Sequence, residues 1–183
     1  MEGPRPVRAG DKVLVLGTGG VSLLALQIAK AAGATVIATS SSDEKLERVK
    51  ALGADHVINY RTTPEWGAEA ARLAGGGVDK VVEVGGAGTL KQSIAAVGFA
   101  GEIALIGVLT REGDTNPHGL MFKGASIRGI FVGSKGMAQR LNAFIDTHGI
   151  RPVVDRAFPM ENARDAYAYQ SSAGLFGKVA ITL

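Results

Sequence analysis

The sequence predicts an α/β protein built on a doubly wound parallel sheet, in three layers with helices on both faces, forming a single domain. Three observations carry this expectation. Short β-branched runs, VLVLG, TVIATS, HVINY, VDKVVEVG and EIALIGVL, are each separated from the next by a helical pattern, and strands alternating with helices of about 10 to 15 residues mean βαβ units. The run from Ile103 to Ile106 is continuously apolar, as in strands buried on both faces of a parallel sheet. A length of 183 residues suits one hydrophobic core, which typically serves about 100 to 200 residues.

Taken in order, the first strand ends at Gly17 and a first helix runs from about Gly20 to Ala32. Its i, i+3, i+4 spacing makes Val21, Leu24, Ala25, Ile28 and Ala32 the expected buried stripe, with Gly33 ending it as a C′ glycine. A second helix is announced by Ser41 as cap, with Glu44 three residues on as a capping box, and ends near Leu52 and Gly53. Thr63-Pro64 is expected to open the third, with proline in the first helical position. After Val108 the polar stretch LTREGDTNPHG breaks the rhythm, and ASIRGIFVG, from Ala125 to Gly133, is the expected sixth strand. A helix around Met137 to His148, the segment RPVVDRAFP, a helix from about Met160 to Ser172 and a terminal strand GKVAITL complete the chain. It contains no internal repeat, low-complexity tract or linker.

Composition removes several function classes. The chain has no cysteine, hence no disulfide framework, thiolate nucleophile or cysteine zinc site within it. Its three histidines, His56, His118 and His148, are dispersed, so no metal is expected among its own residues. The net charge of +3 comes from basic residues interleaved with 17 acids, which suits an anionic small molecule better than nucleic acid. No run approaches the roughly 18 apolar residues of a membrane span, and MEGPRPVRAGDK has no apolar leader core. The expectation is a soluble cytoplasmic protein without a membrane partner.

Between the first strand and first helix stands Gly17-Thr18-Gly19-Gly20-Val21-Ser22. In that context Gly17 makes the tight turn, and Gly19 lets the backbone approach a pyrophosphate at the helix N-terminus, where free N–H groups and the dipole favour anions. Ser22 replaces the third glycine of the dinucleotide fingerprint. That position serves close helix-on-strand packing, where serine is the next smallest polar choice. The second strand ends at Ser40, where an NAD site carries an acid for the ribose hydroxyls. Ser40 and Ser41 can donate to a 2′-phosphate and Lys45 can neutralise it, so the expected cofactor is NADP. NAD stays open through Asp43, three residues on. Ser41, Asp43 and Glu44 also make an ordinary acidic helix start.

GTGGVSLLALQIAKAAGATVIATSSSDEKLERVKALGADHVINY, with GDKVLV before it and VVEVGG, GEIALIGV and FGKVAITL after it, resembles the cofactor domain of the medium-chain dehydrogenase/reductase superfamily, the zinc-type alcohol dehydrogenase and quinone oxidoreductase relatives. The resemblance covers nearly the whole chain and implies a Rossmann domain. It implies that Tyr60 lies beside the adenosine 2′-phosphate with Ser40 and Lys45, that Phe131 and Val132 flank the nicotinamide, and that Lys178 reaches the cofactor. Gly85, Gly107 and Val108 follow the fourth and fifth strands at their C-terminal ends, the edge where open α/β sheets bind ligands. The resemblance further implies a homodimer through the sixth strand. It also implies an N-terminal barrel-like domain, outside this sequence, that holds the small-molecule substrate and any zinc.

The expected function is therefore that of an NADP(H)-binding domain, orienting nicotinamide for hydride transfer to or from an alcohol, carbonyl, quinone or enone. By itself the domain is expected to bind cofactor and turn over little. No catalytic residue is expected within it: the YxxxK, HExxH, Walker and GxSxG patterns are absent. His118 lies just beyond the fifth strand, but its neighbours Asn116, Pro117 and Gly119 read as a turn. A nucleotide-sensing module without catalysis is the alternative. A methyltransferase would need an acid where Ser40 stands.

Overall fold

The computed structural model describes residues 3–183; Met1 and Glu2, the first residues of the stretch expected to lack a leader, lie outside it. Sixteen elements follow one another, β1 (Lys12–Leu16), α1 (Gly20–Ala31), β2 (Thr35–Ser40), α2 (Asp43–Ala51), β3 (His56–Asn59), α3 (Trp66–Leu73), β4 (Val78–Glu83) and α4 (Ala87–Ala96) forming the first half. The second half comprises β5 (Val97–Leu105), α5 (His118–Lys123), β6 (Ser126–Gly129), α6 (Lys135–His148), β7 (Val154–Pro159), a short 3-10 turn (Met160–Asn162), α7 (Ala163–Gln170) and β8 (Lys178–Thr182). Strands β1 to β6 make one parallel sheet in the order β3-β2-β1-β4-β5-β6, and β7 pairs β8 in a separate parallel ribbon. The doubly wound expectation holds, with the order reversing between β1 and β4.

Alternation along each strand divides the core into two layers. Val13, Val15, Val36, Ala38 and Val82 face α1 and α2, where they meet Leu23, Leu26, Ala29 and Val49. Leu14, Leu16, Ile37, Val81 and Ile103 face α3 and α4, where Trp66, Ala70 and Ile94 cover them. Both faces of β1 and β2 are apolar because both are covered.

Several local expectations are corrected. The helix α1 buries Ser22, Leu23, Ala25, Leu26, Ile28 and Ala29. Val21 is exposed, and with Leu24 and Ile28 it borders an open groove over β4, β5 and Ile130. In the run GVSLLALQIAKA two neighbouring stripes both satisfy helical spacing, and only the position of the sheet selects between them. The cap of α2 is Ser42, not Ser41: its hydroxyl accepts from the Lys45 N–H at 3.3 Å. One residue, the bend at Ser41, separates β2 from the cap, which shifts the helix start by one. Thr63-Pro64 lies in a turn, and α3 begins at Trp66. The sixth strand stops at Gly129, so Phe131 and Val132 lie beyond it. The helix expected over residues 160–172 is a 3-10 turn followed by α7.

Candidate cofactor site

The C-terminal ends of β1 and β4 point to the same edge of the sheet, on either side of the place where the strand order reverses. In open α/β sheets this is where a crevice for a ligand forms. The chain enters it through the turn Gly17–Gly20. Gly17 has φ +71°, a conformation that a side chain would strain. Its N–H donates to the Thr39 hydroxyl at 3.3 Å, tying the turn to β2. A Cβ on Gly19 would meet nothing within 4 Å, so the turn opens onto free space. Thr18 is buried, and its carbonyl accepts from Gly177 N–H at 2.9 Å. Gly19 caps α1 with no side-chain hydrogen bond to the helix end, leaving its first N–H groups available to an anion.

Ser22 explains its own departure from the fingerprint. It is 1% exposed, and its hydroxyl donates to the Leu16 carbonyl at 2.6 Å. The serine is small enough for helix-on-strand packing, and its one polar group is satisfied by the strand it packs on.

At the far end of β2, Ser40 and β3 come together. Tyr60 N–H donates to the Ser40 carbonyl at 3.0 Å, and the half-exposed Tyr60 stands beside the serine pair. Ser40 is 4% exposed, and its hydroxyl oxygen accepts from Ser42 N–H at 3.3 Å, leaving its own proton free to donate. Ser41 is half-buried. The carboxylate of Asp43 accepts from the Asn59 side-chain amide at 2.7 Å, which holds it toward β3. Lys45 is engaged elsewhere: its ammonium donates to the carbonyls of Ala173 and Leu175 at 2.5 and 2.8 Å.

Opposite the glycine turn, Gly85 and Gly86 follow β4 while Gly107 and Val108 follow β5. Thr110 joins the two loops, its N–H and hydroxyl both donating to the Gly85 carbonyl at 2.8 and 2.9 Å. A Cβ on Gly107 would overlap the Val84 carbonyl, so only glycine permits this approach. Val108 is exposed, as are Phe131, at 96%, and Val132. Lys178 lies against the first turn of α1, where a Cβ on Gly20 would collide with its side chain. His118 is exposed at the start of α5, its N–H donating to the Asn116 side chain at 2.9 Å.

Residues not anticipated are Thr39, Gly177 and Glu83. Glu83 is 0% exposed within the run VDKVVEVG. An acid set between the apolar pair Val81-Val82 and Val84 is the signal that could have singled it out.

The residues present fit an anionic dinucleotide, as the open glycine turn and the uncapped helix end show. Among the described residues no group of three or more histidine, cysteine, aspartate or glutamate side chains comes together. No helix among them is long and apolar enough to cross a membrane.

Comparison with known proteins agrees with this architecture. The profile of the zinc-binding dehydrogenase family matches residues 20–147. A zinc-type alcohol dehydrogenase-like protein of Schizosaccharomyces pombe is 49% identical over 97% of this chain and 53% of its own length. Among solved structures, an NAD-dependent alcohol dehydrogenase superposes with a TM-score of 0.88 at 39% identity, over 97% of this chain and 52% of that one. A crotonyl-CoA carboxylase/reductase in complex with NADP superposes with a TM-score of 0.86 at 26% identity, over 97% and 51%. The chain spans about half the length of these relatives. With its six-stranded Rossmann sheet and glycine turn, it belongs to the zinc-binding dehydrogenase family, within the medium-chain dehydrogenase/reductase superfamily of oxidoreductases.

Proposed function

We propose that this chain binds NADP(H) across the crevice between β1 and β4 and presents the nicotinamide for hydride transfer to or from an alcohol or carbonyl, or a quinone or enone. The observation that carries this reading is the open, uncapped turn Gly17–Gly20 at the point where the strand order reverses. The free N–H groups of α1 receive the pyrophosphate, aided by the helix dipole. Lys178 stands beside that turn as a cation for the same charge. Ser40, Ser41 and Tyr60 receive the adenosine ribose and its 2′-phosphate, and no carboxylate at the end of β2 repels it. Val21, Val108, Phe131 and Val132 supply exposed apolar surface around the nicotinamide end. When bound, the nicotinamide supplies or accepts the hydride. The proton-transferring groups, and zinc where it is used, belong to a substrate domain beyond this sequence.

Paired fluorescence titrations with NADPH and NADH, on the native chain and on Ser40→Asp, test the reading. NADPH is expected to bind about tenfold more tightly, a difference of about 1.4 kcal/mol, and the acid to reverse the order. Equal affinities in the native chain would return the ribose to Asp43, released from Asn59, and make NAD the cofactor. The NAD-dependent relative gives that outcome its interest.

The exposed edge of β6, which among the described residues pairs only with β5, supports a homodimer in which a second copy continues the sheet. Sedimentation that shows only monomer at high micromolar concentration would refute it.

A further inference from the structure

We infer that Glu83 is a positioning residue, which sets the backbone of the crevice wall facing the nicotinamide half of the cofactor. This inference rests on the cofactor reading above. Glu83 ends β4, and among the described residues no cation pairs with its fully buried carboxylate. Instead one oxygen, Oε1, accepts from Gly85 N–H at 2.7 Å, Gly86 N–H at 3.0 Å and the Thr89 hydroxyl at 2.6 Å. The other, Oε2, accepts a short hydrogen bond from the Ser93 hydroxyl. The backbone carbonyl of the same residue accepts from Ile106 N–H at 2.9 Å and Gly107 N–H at 3.1 Å. One residue thus fastens the loop after β4, the first turns of α4 and the loop after β5.

Packing alone does not call for such a group. A carboxylate carries a large desolvation penalty in a protein interior, and an apolar side chain of similar size fills the same volume without it. What the carboxylate adds is direction. It turns two consecutive N–H groups inward, so the outward face of the loop is fixed. Gly86 is held at φ +93° and ψ −144°, and a Cβ on Gly85 would strike Thr89, so the loop has little room to relax. The glycine turn and Ser40 lie across the crevice on β1 and β2, and none of their hydrogen bonds runs through Glu83. The adenosine half of the cofactor is therefore independent of it.

The test compares NADPH with 2′,5′-ADP, which carries the adenosine half alone, on the full chain and on Glu83→Leu, Glu83→Gln and Thr89→Val, each checked by thermal melting. In the native chain NADPH binds more tightly than 2′,5′-ADP; if neither binds, the cofactor reading itself fails and this inference falls with it. Glu83→Leu is expected to weaken NADPH about tenfold and 2′,5′-ADP by less than about twofold, because the inward N–H groups lose their acceptor. Glu83→Gln keeps one oxygen for Gly85, Gly86 and Thr89 and can donate to Ser93, so it restores NADPH to within about threefold of native. Should Glu83→Leu not fold, Thr89→Val carries the test with an expected loss of about threefold for NADPH only. Equal losses for both ligands would mean a purely structural role. No loss for either would overturn the inference with the cofactor reading intact.

Discussion

Residues 12–105 and residues 106–183 of this chain are held in different ways. The first region is held by burial: Val13, Leu14, Val15, Leu26, Val36, Ile37, Val81 and Ile103 are all fully enclosed in the sheet and the helices that cover it. In the second, among the described residues, only Phe158, Ala166 and Phe176 are buried hydrophobics, and α5 and α6 bury none. Its attachment is largely polar. Asp155 accepts from Arg48 at 2.9 Å, from the Tyr169 hydroxyl at 2.7 Å and from Phe176 N–H at 3.0 Å, joining β7, α7 and the segment before β8 to α2. Arg48 also lies over the Phe176 ring, 3.8 Å from its centre. The bonds from Lys45 to Ala173 and Leu175 and from Gln27 to the Arg151 carbonyl add to this fastening. The first region can thus be rigid while the segment carrying Phe131 and Val132 keeps its apolar side chains at the surface.

The largest effect is expected in the first region. Leu26→Ala should lower stability by about 2 to 5 kcal/mol through lost burial and a residual cavity, measured by urea unfolding. A cost below about 1 kcal/mol would show that the layer under α1 repacks freely, and the contrast would fail.

A smaller loss, about 1 to 3 kcal/mol, is expected for Asp155→Ala, which leaves the Arg48, Tyr169 and Phe176 donors without their shared acceptor. Proteolysis should then cut within residues 150–183 before the sheet unfolds. The same carboxylate makes the fastening acid-sensitive. Burial pushes the Asp155 carboxyl upward, but hydrogen bonds from Arg48, Tyr169 and Phe176, with the Arg48 charge, outweigh it and hold the group below the ordinary carboxylate range. The unfolded chain then binds the proton more readily, so stability from this group is complete above the unfolded value of about 3.9 and is lost as pH falls through the lower folded value. Between about pH 5 and pH 2 the native protein should lose more stability than Asp155→Asn. Parallel acid titrations of the two would sink the assignment.

The smallest effect is expected at the surface of the second region. Phe131→Ser should change the stability of the monomer by less than about 0.5 kcal/mol. A larger loss that grows with protein concentration would instead show Phe131 covered by a second copy, sharpening the proposal for β6.

The parts of the site that depend on near neighbours along the chain are legible in the amino-acid sequence. Gly17–Gly20 sits between an apolar strand and an apolar helix, and Ser40 closes a β-branched run, so both can be placed on the crevice edge. Glu83 is not legible as a hub, because its partners Ser93, Ile106 and Gly107 join it only when β4, α4 and β5 pack. The bonds of Lys45 are not legible for the same reason: one turn into α2 it stands near Ser40 in sequence, yet the carbonyls of Ala173 and Leu175 reach it across the fold. The stripe on α1 is ambiguous because two stripes of that helix are apolar.

By itself the sequence determined the alternation of strands and helices, the parallel doubly wound class and the glycine turn, since periodicity and backbone conformation are set by local sterics and side-chain size. Only the tertiary structure decided which stripe of α1 is covered, that Ser22 bonds Leu16, that Asp43 turns to Asn59 and that Glu83 and Asp155 gather donors from distant segments. Those choices are competitions between partners far apart in the chain, and which partner wins depends on which groups the packed sheet brings within hydrogen-bond reach.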